Sequence, residues 1–246
     1  MQKKIYLIIA VVFISCATYL GKSDKLINYV DPFIGSGGHG HVFVGANVPF
    51  GGVQVGPTNF NKGWDWSSSY HHTDSIVKGF CHINVSGTGM SDLGELTIMP
   101  ATGKLMTGAG TQNNHMAGYS SLYYKDKEHA SVGYYKVHLE RYDIDVELTA
   151  TERVGLHKYR FPKSDQSRVI IDLGEGSADR PTETYLKKIN DTLFQGHRFS
   201  SGWARDQREY FSLIISKPVD DFILYDRHKK FKGEERKGDY VKGFLE

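Results

Sequence analysis

From Val132 onward the chain is a train of short segments rich in β-branched and aromatic residues, and no other feature of the sequence constrains the fold as tightly. YYKVHLE from Tyr134, IDVELTAT from Ile144, VGLHKYRF from Val154, RVIIDL from Arg168, TLFQGHRF from Thr192, EYFSLIIS from Glu209 and FILY from Phe222 follow one another about every ten residues. Turn-forming clusters at 141–143, 162–165, 174–179 and 217–221 separate them. Short segments with no competing 3.6-residue period predict an all-β fold, an antiparallel β-sandwich built as a meander. A chain of 246 residues has room for one such large domain or two small ones, and its core needs no disulfide or metal staple.

The opening of the chain has a different logic. Lys3 and Lys4 precede the apolar run IYLIIAVVFI at 5–14, which Ser15, Cys16 and Ala17 follow, the order of an export signal. Ten apolar residues are half of the roughly 20 that a membrane-spanning helix needs, so the segment reads as a signal over 1–16 followed by a short linker over 17–26. Cys16 stands where a bacterial lipoprotein carries its lipidated cysteine, although Phe13 is bulkier than the usual aliphatic residue there. Lipid anchoring at the cell envelope, a periplasmic location and secretion all remain open. Cys81 is the one cysteine besides Cys16 and reads as a small buried hydrophobe. A net charge of +2 is too small to argue for nucleic acid or an anionic membrane surface as a partner, and no nucleic acid is expected.

Between Gly35 and Gly63 the chain concentrates nine of its 27 glycines without a sustained period of two, which predicts an ordered loop or short strand. Five of the 11 histidines, His39, His41, His71, His72 and His82, lie close by. Their spacing matches no known zinc pattern, so hydrogen-bonded loop histidines are the plainer reading and no metal site is assigned. Asp92 and Glu95 are carboxylates of the type that glycosidic hydrolysis uses in pairs, but many such pairs exist in any chain and neither is assigned a catalytic role. GWDWSSSYHH at 63–72 is more informative. Trp64 and Trp66 with Asp65 between them, then hydroxyls and imidazoles, combine stacking faces with hydrogen-bond partners, which is what sugar rings require.

GSGGHGHVFVGANVPFG at 35–51, GWDWSSSYHH at 63–72 and GFCHINVSGTGMSDLGE at 79–95 together resemble the opening domain of glycoside hydrolase family 92, the exo-acting α-mannosidases. VGYYKVHL at 132–139, ELTATERVGLHKYRFP at 147–162 and VIIDLG at 169–174 extend the likeness across 27–246. The resemblance implies a β-sandwich of the galactose-mutarotase-like supersandwich type, followed in the family by an (α/α)6 barrel. That barrel carries the acid and base carboxylates and an essential calcium ion, and inverts the anomeric carbon by direct water attack. No cofactor is then expected on this chain, whose sandwich lends loops to a pocket for mannose-containing glycans. The resemblance places Trp64 at the sugar subsite and makes Asp65, Trp66, Ser86, Thr88, Gly37 and Gly38 candidate substrate contacts. Three positions depart from the family pattern: Asn84 replaces a second histidine beside His82, Ser67 a cysteine and Glu95 an aspartate.

Because this chain ends before any barrel, with Phe244 and Leu245 opening what reads as a truncated strand with an open edge, it is expected to be a fragment that does not hydrolyse mannosides alone. Two alternatives stand beside that reading: a free-standing carbohydrate-binding sandwich, or half of a split enzyme that docks a separately encoded barrel. The charged stretch over 227–246 reads as a solvated hairpin.

Overall fold

The computed structural model describes residues 25–90, 92–177 and 179–246, so the segment read as an export signal, Cys16 and most of the stretch read as a linker lie outside the described residues. The chain divides into two compact units, Met1–Asp31 and Pro32–Glu246. In the first, the described part forms one 3-10 turn, Leu26–Tyr29. Among the described residues no helix is long and apolar enough to cross a membrane.

The second unit is organised around a seven-stranded antiparallel sheet. Its strand order is Gly56–Thr58, Gly79–Cys81, Thr97–Ala101, Arg168–Asp172, Val241–Leu245, Phe222–Asp226 and Lys229–Phe231. Successive side chains along a strand point to opposite faces, and here both faces meet apolar cores. Ile170 packs with Phe80, Met99, Ile223 and Phe244 on one side. Its neighbour Ile171 packs with Leu186, Phe194, Leu224 and Leu245 on the other. Burial of both faces is why RVIID and FILY read as unbroken apolar runs.

Each core is closed by a four-stranded sheet. The first, Glu128–Ser131, Tyr134–Leu139, Ile144–Ala150 and Gly155–Arg160, is a meander of consecutive hairpins. Its strands alternate because only one face is covered: Tyr135, Val137, Leu139, Ile144, Val146 and Leu148 enter the core, while Lys136, Asp145 and Glu147 lie nearer solvent. The second sheet orders Gln207–Ile214, Leu193–Ser201, Arg180–Lys188 and Glu235–Gly238. The structure is thus all-β and antiparallel, as expected, with three stacked layers.

Three details differ from the sequence reading. The meander is confined to the outer layers, since the central sheet is assembled from strands distant in sequence. Residues 227–246 do not form a solvated hairpin: Lys229–Phe231 edges the central sheet, Glu235–Gly238 joins the outer one, and Val241–Leu245 is wholly buried at the centre. That last strand therefore has no open edge; Ile170 pairs with Phe244 on one flank and Ile223 pairs with Phe244 on the other. The apolar side chains of Val241, Phe244 and Leu245 explain the placement, because two cores are there to receive them.

A pair of imidazoles joins the first outer sheet to the centre. His157 Nε2 lies 3.0 Å from His82 Nε2, His82 Nδ1 is 2.9 Å from the Leu96 carbonyl, and the Tyr159 hydroxyl is 2.7 Å from His157 Nδ1. A carbonyl can only accept, so His82 carries its proton on Nδ1 and accepts at Nε2. His157 then donates from Nε2 and accepts the tyrosine proton at Nδ1. Loss of hydration holds both rings neutral, with the His82 pKa pushed down to about 4 and that of His157 well below its usual value.

Ile171→Ala opens a cavity beneath the central sheet and is expected to lower unfolding free energy by about 2–5 kcal/mol, whereas Leu156→Ala on the solvent side changes it by about 0.5 kcal/mol or less. Urea denaturation checks both. The imidazole pair predicts a pH slope as well. The unfolded chain takes up His82's proton below about 6.5, and the native state resists until about 4, so this stability is complete above pH 6.5 and about 2–3 kcal/mol is lost as pH falls through that window. Unfolding measured between pH 7.5 and 4 shows the loss, and His157→Phe makes the slope shallower.

Candidate functional site

Three neighbouring strands of the central sheet, Gly56–Thr58, Gly79–Cys81 and Thr97–Ala101, are short, and the long connections 59–78 and 82–96 fold back against each other and against 35–43. Hydrogen bonds stitch the three loops together. The Ser67 hydroxyl donates to the Thr88 carbonyl at 3.1 Å, Phe43 N–H donates to the Ser86 hydroxyl at 3.2 Å, and Gly87 N–H donates to the His41 carbonyl at 2.7 Å. The Ser68 hydroxyl also donates to the His41 carbonyl.

A 3-10 turn, Trp64–Trp66, begins after Gly63, whose φ of 114° is open to glycine and costly for other residues. The turn gives the two tryptophans different surroundings. Trp66 is spent on the scaffold: its indole N–H donates to Asp74 at 2.9 Å, its ring stacks on His71 at 4.2 Å, and Lys62 lies over it. Trp64 is 59% exposed. One edge of its indole rests on the Gly89 backbone, where any side chain would strike it at 2.3 Å, and His41 meets its ring edge-on at 4.3 Å. Gly89 is therefore a residue the site depends on that the sequence reading did not single out.

Asp65 is held between two imidazoles. His39 Nδ1 lies 2.6 Å from its Oδ1 and His41 Nε2 3.6 Å from the same atom. The hydrogen bond from His39 is the main reason that the carboxyl is held below its usual pKa. His41 is buried with a left-handed φ of 53°, so its backbone is strained. Five of the seven non-glycine residues with such φ among the described ones, His41, Phe50, Ser69, Leu93 and Leu96, fall in this part of the chain. Backbone held off its preferred conformations fixes side-chain directions that relaxed loops would not keep.

The other sequence candidates sort by exposure. Ser86 and Thr88 lie at the exposed rim. Gly38 offers its carbonyl to His71 Nε2 at 3.3 Å, and Gly37 beside it has room for a side chain. Gly40 has no such room, since an added Cβ would lie 2.0 Å from the Gly35 carbonyl oxygen. Among the described residues no three His, Cys, Asp or Glu converge on one point as metal ligands would.

Asp92 and Glu95 are buried and bonded within the protein rather than facing one another across a cleft. Asp92 accepts two 2.9 Å bonds from the Gln207 amide. Glu95 accepts from Ser200 at 2.6 Å and from the fully buried Arg198 at 3.0 Å, and Arg198 also binds Asp179. Burial and the neighbouring Glu95 push the Glu209 carboxyl well above its usual pKa. Asn84 and Ser67 have local structural roles. Asn84 accepts the Cys81 thiol at 3.1 Å and donates to the Gln54 carbonyl at 2.9 Å. Ser67 ties the tryptophan turn to the Thr88 loop. Cys81 is free, buried and pushed up in pKa by loss of water, as its reading as a buried hydrophobe requires.

The described residues of the second unit thus form a three-layer antiparallel sandwich whose strained loops hold the Trp64 indole partly exposed. Residues 29–246 match the sequence profile of the glycosyl hydrolase family 92 N-terminal domain, and the chain belongs to that family. It superposes with a TM-score of 0.87 and 32% identity on the family GH92 α-mannosidase BT3965 of Bacteroides thetaiotaomicron, a structure also solved with mannoimidazole, covering 90% of this chain and 30% of that one. The family GH92 inverting mannosidase BT2199 of the same organism, at 22% identity and a TM-score of 0.74 over 91% of this chain and 29% of that one, shares the fold. An uncharacterized secreted glycosidase of Arthroderma benhamiae is 26% identical over 165 residues, 60% of this chain and 20% of its own length. The chain thus spans about a third or less of these relatives.

Removing the imidazole in His39→Ala takes away the strongest influence on Asp65, and its carboxyl is expected to titrate at higher pH than in the parent. A carboxyl-detected NMR titration measures this; an unmoved Asp65 would mean that the 2.6 Å contact is not kept in solution.

Proposed function

We propose that this chain supplies the sugar-contacting β domain of an exported enzyme that hydrolyses α-mannosides with inversion. The observation that carries the reading is the exposed Trp64 indole, fixed by Gly89 and His41 beside the imidazole-bound Asp65, in a member of family 92. Trp64 takes the apolar C–H face of a mannose ring, and Asp65, Ser86 and Thr88 meet its hydroxyls.

The proton-transferring carboxylates and the calcium ion belong, on this reading, to an (α/α)6 barrel outside the chain. The chain's own part is to bind and orient the sugar and exclude water from one side of the pocket. Export is supported by the signal-like order of residues 1–17 and by the secreted fungal relative, and anchoring through Cys16 or residence in the periplasm extends that reading.

The chain incubated with α-mannobiose and calcium is expected to release no mannose. Calorimetric titration with methyl α-mannoside gives weak binding that Trp64→Ala lowers by about tenfold or more. Turnover that a chelator abolishes would overturn the division of labour, and unchanged binding by the variant would overturn the role of Trp64.

A further inference from the structure

All three tryptophans sit in loops, and the most exposed of them, Trp203 at 74%, has no part in the site described above. It lies in the turn between Leu193–Ser201 and Gln207–Ile214. That turn is fixed from below by Asp92. The Ala204 N–H donates to Asp92 at 3.1 Å, and the Gln207 amide reaches both Asp92 oxygens at 2.9 Å and the Ala204 carbonyl at 3.3 Å. Gly202 lies so close that a side chain there would meet Asp92 Oδ1 at 2.0 Å. A buried carboxylate is thus committed to holding a loop whose most prominent feature is an indole in water.

The same segment of chain carries the other exposed indole. Trp64 rests on Gly89, and Gly89 is three residues from Asp92, a reach of at most about 11 Å. A further tie links the loops: the Asn61 amide, three residues before Trp64, donates to the Ser177 carbonyl at 3.2 Å, and Asp179 packs against Gly202. Arg205 and Asp206, both exposed, put hydrogen-bond donors and acceptors in the same turn as Trp203. An aromatic face on a fixed turn, with Arg205 and the 2.9 Å Asp206–Arg208 ion pair beside it, suits the amphipathic face of a pyranose ring.

We infer that Trp203 forms a second sugar-stacking subsite, so that the site takes a glycan of at least two rings, one against Trp64 and one against Trp203. The inference rests on the reading of Trp64 as a sugar contact.

Titration of the parent, Trp203→Ala and Trp64→Ala with methyl α-mannoside, α-mannobiose and α-mannotriose tests it, with the Tm of each protein recorded. The parent is expected to bind the oligosaccharides more tightly than the monosaccharide. Trp203→Ala then loses about three- to tenfold in oligosaccharide affinity, keeps its affinity for methyl α-mannoside, and keeps its Tm. Trp203→Phe restores most of the loss. If Trp203→Ala matches the parent on all three sugars, or lowers only the Tm, the second subsite is overturned and the reading of Trp64 stands. If Trp64→Ala alone has no effect, it is the reading of Trp64 that fails. A parent that binds none of the sugars overturns both.

Discussion

The requirement that a single sheet be covered on both faces governs this structure. Ile170 and Ile171, Ile223 and Leu224, Phe244 and Leu245 are adjacent pairs whose members enter different cores. Neither outer sheet is optional under that constraint, since removing one would expose a continuous apolar face. The layers also come close: a Cβ on Gly243 would lie 2.5 Å from Leu186 of the outer sheet. The loops of the candidate site connect strands of this central layer, so their anchoring is set by the best-buried part of the molecule.

Most of the layers could be read from the residues. The seven segments identified from Tyr134 to Phe222 are all strands, because each carries enough β-branched and aromatic residues to declare itself. Arg180–Lys188 is hard to read as a strand because RPTETYLKK has a proline at its second position and is mostly polar; Pro181 sits near the start of the strand beside a register shift, where a missing N–H does least harm. Glu235–Gly238 was hidden by its charges, which an outer strand can keep in water. The central position of Val241–Leu245 could not be read locally at all, since pairing partners are a property of the whole sheet.

The site was legible in its composition and not in its geometry. Trp64 and Trp66 look equivalent in GWDW, and the Asp74 partner that takes the indole N–H of Trp66 eight residues on leaves no mark in the sequence. Gly37 and Gly38 stand out as a pair in the sequence, while steric need falls on Gly40 and Gly89. Glu95 lies where Arg198 and Ser200 can both be reached, so its role is to neutralise a buried guanidinium.

The pairing of Ile170 with Phe244 joins residues 74 positions apart, whereas each hairpin of the first outer sheet closes within a few residues. The outer meander can therefore form as soon as its own segment is available, but the central layer must wait for a strand that follows both outer sheets in sequence. Until Val241–Leu245 inserts, the half-built molecule has two apolar faces and the unpaired flanks of Arg168–Asp172 and Phe222–Asp226 open to solvent. The slow step of folding and the moment of greatest risk of aggregation then coincide in the closure of one five-residue strand.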